Sequence, residues 1–110
     1  LDMITHPQVR EAFDIGKEPE RVRNKFKSRY SGFQWLQAIR LAQAGVPVIA
    51  FDCSYNAPWD THSAPTPAQA AAQADKNRSQ ARETFQHHDQ MVHAMVTELY
   101  DRGLEKDVAL

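Results

Sequence analysis

Apolar positions along the chain follow two different periods. From Val46 to Phe51 they run almost without interruption, β-branched and aromatic, between Gly45 and the turn-forming residues that come after Asp52. Such a run predicts a strand buried on both faces over 46–52, an interior member of an α/β sheet. Elsewhere the spacing is helical. Phe33, Trp35, Leu36, Ile39, Leu41 and Ala42 make a broad arc that starts at Ser31 or Gly32 and closes at Gly45, where a left-handed C-cap is commonest. Phe85, Val92, Met95, Val96 and Leu99 define a last helix, with Arg102-Gly103 as its basic final turn and stop.

Two shorter helices are expected ahead of these. Thr5 and Pro7 form a start signal, Val9, Ala12 and Phe13 an apolar edge, and Gly16 a stop. Glu18-Pro19-Glu20 then begins a helix whose inward pair is Val22 and Phe26. Arg21, Arg23, Lys25, Lys27 and Arg29 alternate along it and so scatter around its axis, which suits a solvated face better than a nucleic-acid stripe.

The exceptions to pattern matter as much. His88 and Asp89 fall inside the apolar stripe of the last helix, which predicts a buried polar pair that some other part of the fold must answer. Residues 53–67 show no period and hold Pro58, Pro65 and Pro67, as a functional loop would. Thr66-Pro67 is a helix-start signal, the Ala/Gln-rich tract after it has helix propensity without an apolar stripe, and 63–82 reads as an exposed insertion, helical rather than core. Asp107-Val108-Ala109-Leu110 looks like the opening of a truncated strand and the chain begins at Leu1, so 1–110 is expected to be a single partial domain, an internal fragment of a longer protein.

Composition narrows the class. The chain has 110 residues, 42% of them hydrophobic and 25% charged, and a net charge of -1. That balance belongs to a globular domain and offers no summed field to nucleic acid or an anionic membrane. No apolar run reaches the length of a bilayer span. A single cysteine, Cys53, excludes an internal disulfide, and with no nucleophile elbow or following helix it reads as a spectator thiol. There is no Gly-rich phosphate loop, dinucleotide fingerprint or Cys-x-x-Cys pair.

Candidate chemistry gathers after the apolar run. In open α/β sheets ligands bind beyond the carboxyl ends of the strands, and Asp52, Asp60 and His62 all follow the end of this one. In an extended loop, side chains two residues apart point the same way, so Asp60 and His62 suit one divalent ion, with zinc, manganese or calcium as the candidates. A third ligand is needed, and Asp52 is the nearest. The alternative on spacing is an Asx-turn at Asp60 with His62 bonding its own loop. His87, His88 and His93 lack the i, i+4 spacing of a helical zinc pair.

Ala12-Phe13-Asp14-Ile15-Gly16-Lys17-Glu18-Pro19-Glu20-Arg21-Val22-Arg23, Ala44-Gly45-Val46, Trp59-Asp60-Thr61-His62, Phe85 to Asp89, and Leu99-Tyr100-Asp101-Arg102-Gly103-Leu104 occur in an order that resembles the bacterial family called domain of unknown function 1501. The resemblance implies a branch of the alkaline phosphatase and sulfatase superfamily: an α/β sandwich with a mainly parallel sheet, metal-dependent hydrolysis of phosphate or sulfate esters, and export to the periplasm or beyond. This piece would be mostly helical, with the 46–52 strand and the start of another near 107–110. Asp60 and His62 match the family's Trp-Asp-Thr-His, and Asp89 matches an acidic position on its helix. The longer interval between His62 and Phe85 departs from the pattern. The 110 residues would then carry part of a hydrolase site for a small-molecule or glycan ester and be inactive alone. Two other readings are a non-catalytic exported binding or scaffolding protein that keeps the superfamily fold, and a self-sufficient helical binding module.

Overall fold

The computed structural model describes residues 5–27, 32–52 and 66–110, and these form helices joined by turns and irregular chain. Helix α1 is Pro7–Ala12, followed by a 3-10 turn at Ile15–Lys17; α2 is Glu20–Lys25, α3 is Gly32–Gln43 and α4 is Pro67–Asp101. Among the described residues there is no strand and no sheet. The expected α/β sandwich with its parallel sheet is therefore replaced by a helical packing.

Local chemistry accounts for the helix ends. His6, rather than the expected Thr5, caps α1, its Nδ1 accepting from the Gln8 amide at 3.4 Å with Pro7 in the first turn. Gly16 does not end that helix; it lies in the 3-10 turn, and its amide donates to Asp14 Oδ1. Thr66 caps α4, accepting from the Gln69 amide at 3.2 Å while its hydroxyl donates to the Gln69 carboxamide at 2.7 Å, a side-chain box that uses Thr66, Pro67 and Gln69 as a start signal. The Ala/Gln tract and the polar stretch after it are thus continuous with the last apolar helix. The whole of α4 is about 52 Å long at 1.5 Å per residue.

Helices α3 and α4 finish in the same way. Gly45 at φ +83° and Gly103 at φ +68° occupy the left-handed region. In each case the glycine amide bonds the carbonyl three residues back, Ala42 or Tyr100, and the next amide reaches five back, Val46 to Leu41 at 3.1 Å and Leu104 to Leu99 at 2.8 Å. These are Schellman caps, which need a residue free of the Cβ penalty at positive φ.

Apolar faces meet between α2, α3 and the second half of α4. Phe26, Leu36 and Ile39 are fully buried, and around them pack Val22, Trp35, Ala38, Met91, Ala94, Met95 and Leu99. The amphipathic arcs of α3 and α4 thus cover one another, and helix-on-helix burial supplies the core that a sheet was expected to supply.

The run from Val46 to Asp52 is irregular, with a bend at Pro47, instead of a buried strand. Val48 is 83% exposed, while Ile49 and Phe51 are half-buried against the core. A period of two survives, but only one face is covered. An apolar run becomes a strand only when a neighbouring chain completes its hydrogen-bond ladder, and among the described residues Pro47–Phe51 makes no backbone hydrogen bond. The expected strand near 107–110 is likewise irregular: Glu105, Lys106 and Asp107 form a turn, and Val108 rests half-buried on the core. Both segments border one open groove of about 700 Å³, floored by Ile39, Met95 and Leu99.

Candidate functional site

Trp35 lies on the first turns of α3, 6% exposed and turned toward the core. Its position follows from the arc that also buries Leu36 and Ile39, because residues three and four apart share a helix face. The indole meets Phe51 edge to face, with centroids 5.1 Å apart and planes at 75°. It also meets His88 of α4 at 5.5 Å and 69°. Such geometry places the positive edge of one ring on the negative face of the other. Three aromatic rings from α3, α4 and the irregular segment 46–52 are thereby joined, and Asp52, exposed, is the next residue out.

The expected buried pair on the last helix is divided by this arrangement. His88 is half-buried against Trp35, whereas Asp89 is exposed. One position is about 100° of helical rotation, enough to carry Asp89 off the packed face. His87 is half-buried, and burial, helped by the neighbouring His88, holds its pKa below the ordinary value. His93 is exposed. Together with Val92, Val96 and Tyr100, the exposed side of this helix lines a shallow groove of about 760 Å³.

Asp60 and His62, with Cys53 and Trp59, lie outside the described residues, so of the metal-ligand candidates only Asp52 is placed. Among the described residues no group of three or more His, Cys, Asp or Glu side chains stands close enough to hold a metal. The candidate donors, two carboxylates and an imidazole, are nevertheless the chemistry that zinc or manganese takes.

A charged cluster that the sequence reading missed sits at the other end of α3. Glu18, its side chain 8% exposed, is bonded by Arg40 Nη1 at 2.6 Å and by Arg102 Nη2 at 2.9 Å. Arg102 also reaches Glu98 at 3.0 Å, and Glu98, 4% exposed, accepts from Lys25 Nζ at 2.6 Å. Arg40 donates further to the Ala12 and Glu11 carbonyls, closing the C-terminus of α1. Burial alone would raise the Glu18 pKa, but hydrogen bonds from Arg102 and Arg40 outweigh it and the carboxyl stays below its usual range. Satisfied in this way, the cluster is a structural clamp between α2, α3, α4 and the 3-10 turn. The signal available in the sequence was Glu98, a carboxylate seven residues from Met91 on the apolar face.

No helix among the described residues is long and apolar enough to cross a membrane. No curated protein and no solved structure matches the chain. The family model described as a protein of unknown function, DUF1501, matches residues 2–109, and the chain belongs to that family.

Proposed function

We propose that this chain contributes part of a metal-dependent site for hydrolysis of a phosphate or sulfate ester, with Asp60 and His62 as metal ligands and Asp52 as a supporting one. The carrying observation is the anchoring of Phe51 on Trp35, which gives the donor-bearing stretch after Asp52 a fixed point of departure from a packed core. Carboxylate and imidazole ligands match a divalent ion. When bound, the ion would lower the pKa of a coordinated water and stabilise negative charge on the transferred group. The match of Trp59-Asp60-Thr61-His62 to the family's own tetrad, and the resemblance of that family to the alkaline phosphatase and sulfatase superfamily, support the same chemistry through the residues, not through the fold.

The test is metal content. Bound zinc, manganese and calcium are measured in the intact protein and in its Asp60→Ala and His62→Ala variants, alongside hydrolysis of p-nitrophenyl phosphate and p-nitrophenyl sulfate. Loss of metal and of ester hydrolysis in both variants is expected. Unchanged metal and unchanged hydrolysis would overturn the proposal.

A second reading, a non-catalytic binding module, is favoured by one observation. Val96 and Tyr100 stand exposed along one groove of α4, an apolar face that the helical core does not use. Under that reading the same variants leave metal and hydrolysis unaltered, while substitutions on this face change partner binding.

A further inference from the structure

Two of the stretches that carry the family likeness, 12–23 and 99–104, meet where Glu18 meets Arg102. Arg102 holds that carboxylate with both terminal nitrogens, Nη1 on Oε1 at 3.2 Å and Nη2 on Oε2 at 2.9 Å. Ile15, at the start of the 3-10 turn, packs against the core. The turn is therefore pinned by Ile15 and by the residue that follows it. Helix α1, just before it, is attached differently. Val9 and Ala12 are buried, but neither belongs to the core cluster, and Phe13 is 55% exposed. Six residues are too few for a helix to sustain itself in water. Helix ends leave carbonyls without intrahelical partners, and at this end three carbonyls are met from α3. Arg40 Nε bonds Ala12 at 3.0 Å, Arg40 Nη2 bonds Glu11 at 2.9 Å, and Gln37 Nε2 bonds Phe13 at 3.5 Å. The exposed Lys17–Glu11 pair, at 2.7 Å, joins α1 to the turn and not to α3.

We infer that α1 is a strap that opens as a unit about the 3-10 turn, and that Arg40 is its latch. One guanidinium supplies two of the three bonds, and its charge sits at a helix C-terminus, where the dipole favours a cation. Its remaining nitrogen, Nη1, holds Glu18 at 2.6 Å, so the latch closes on helix and hinge together. Loss of Arg40 strands no carboxylate, because Arg102 still takes both Glu18 oxygens. The core of Phe26, Leu36, Ile39 and Leu99 keeps its packing, whereas among the described residues α1 is left on α3 with the long Gln37 bond and its own two buried side chains. Opening widens the seam between α1 and α3. A cleft of about 300 Å³ already lies there, with Gln8 and Glu11 on one side and Gln43 and Ala44 on the other. The seam is where the molecule changes shape at least cost to its packing, and Arg40 sets how often it does.

Native-state hydrogen exchange on the intact protein tests both parts, because a unit that opens alone exchanges faster than the core and exposes little surface to urea. In the unaltered protein the amides of 10–14 should be at least about 100-fold less protected than those of 92–99, with a smaller urea slope. Arg40→Met, which keeps the aliphatic stem, should lower protection at 10–14 about 10–100-fold, since a hydrogen bond from a charged donor is worth roughly tenfold or more, and the slope there should stay small. Arg40→Lys, with one amine for three acceptors, should fall in between. Gln37→Ala removes only the long bond and should change 10–14 by less than about threefold. Ile39→Val weakens the core and not the latch, so protection at 92–99 should fall about tenfold while 10–14 is unchanged. Equal protection and equal slopes at 10–14 and 92–99 in the unaltered protein overturn the strap. So does a loss at 10–14 in Ile39→Val that matches the loss at 92–99. Unchanged protection at 10–14 in Arg40→Met, or as large a loss there in Gln37→Ala, overturns the latch. If Arg40→Met does not fold, Arg40→Lys decides the latch, and the unaltered protein with Ile39→Val decides the strap.

Discussion

The two ends of α3 are held by opposite kinds of chemistry. Its last turns carry Arg40 into a cluster in which every charge has an opposite within 2.6 to 3.0 Å and several hydrogen bonds besides. Its first turns carry Trp35 against two ring edges. At the charged end, any one contact can be lost and others still define the geometry. At the aromatic end, ring contacts lie over Pro47–Phe51, which makes no backbone hydrogen bond among the described residues. Directional, redundant bonding is spent where four elements must meet. The less redundant restraint holds the segment that ends at Asp52.

The comparison can be broken at several levels. Leu36→Ala strikes the core beneath both ends; the side chain is fully buried, and a loss of about 4 kcal/mol is expected in urea unfolding. Disturbance confined to one end would show that the ends do not share that core. Glu18→Gln should cost about 3 kcal/mol, because it leaves two half-buried guanidinium groups without their shared carboxylate. Metal affinity and the order of Asp52 should stay unchanged in that variant, which separates the ends most cleanly.

Titration gives the next effect. A carboxyl whose folded pKa is depressed stabilises the fold above its unfolded pKa and loses that contribution as pH falls through the folded value. For Glu18 the loss therefore falls below the ordinary value of 4.5. His87, also depressed, adds to the acid limb from below its ordinary 6.5. Lys25 is shifted the other way, raised mainly by the hydrogen bond it donates to Glu98, so its contribution is lost only as pH climbs past 10.5. Thermal unfolding across pH should show a plateau between these limits, and Glu18→Gln should flatten its acid edge.

Smaller effects complete the series. Gly103→Ala places a Cβ at φ +68° with open space around it, so backbone strain is its cost, about 1 kcal/mol. Val48→Thr, on the exposed face of the irregular segment 46–52, should change stability by less than about 0.5 kcal/mol. A larger loss at Val48 would mean that the outward face of that segment is covered after all.

Much of the helical layout was legible residue by residue. Gly45 and Gly103 announce their caps because only glycine sits there without penalty, and Val22, Phe26, Leu36, Ile39 and Leu99 announce the packed faces by spacing. Val46 to Phe51 misled because a β-branched apolar run states that burial is wanted and not who provides it. With no ladder partner among the described residues, half of it is left outside. The join between the Ala/Gln tract and the last helix was missed because a polar helix shows no stripe, though its Thr66 cap was visible. The charged cluster was out of reach for another reason: Glu18 finds Arg40 and Arg102 across 22 and 84 positions, and no local pattern records such a pairing. Of the candidate site, Asp60 and His62 are donors by residue type and spacing and lie outside the described residues. Trp35 read as core, which it is, and its second contact depends on a fold that spacing does not encode.

The matched endings of α3 and α4 carry one more implication. Because each helix terminates at a left-handed glycine and releases its chain into the same groove, the lengths of the two helices are phase-locked. Adding or deleting one residue between the packed face and the cap of either would swing its outgoing chain by roughly 100° around the axis. Ile49 and Phe51, or Leu104 and Val108, would then be aimed at solvent. Evolutionary drift in this family should accordingly tolerate substitutions along both helices far more readily than single-residue indels within them.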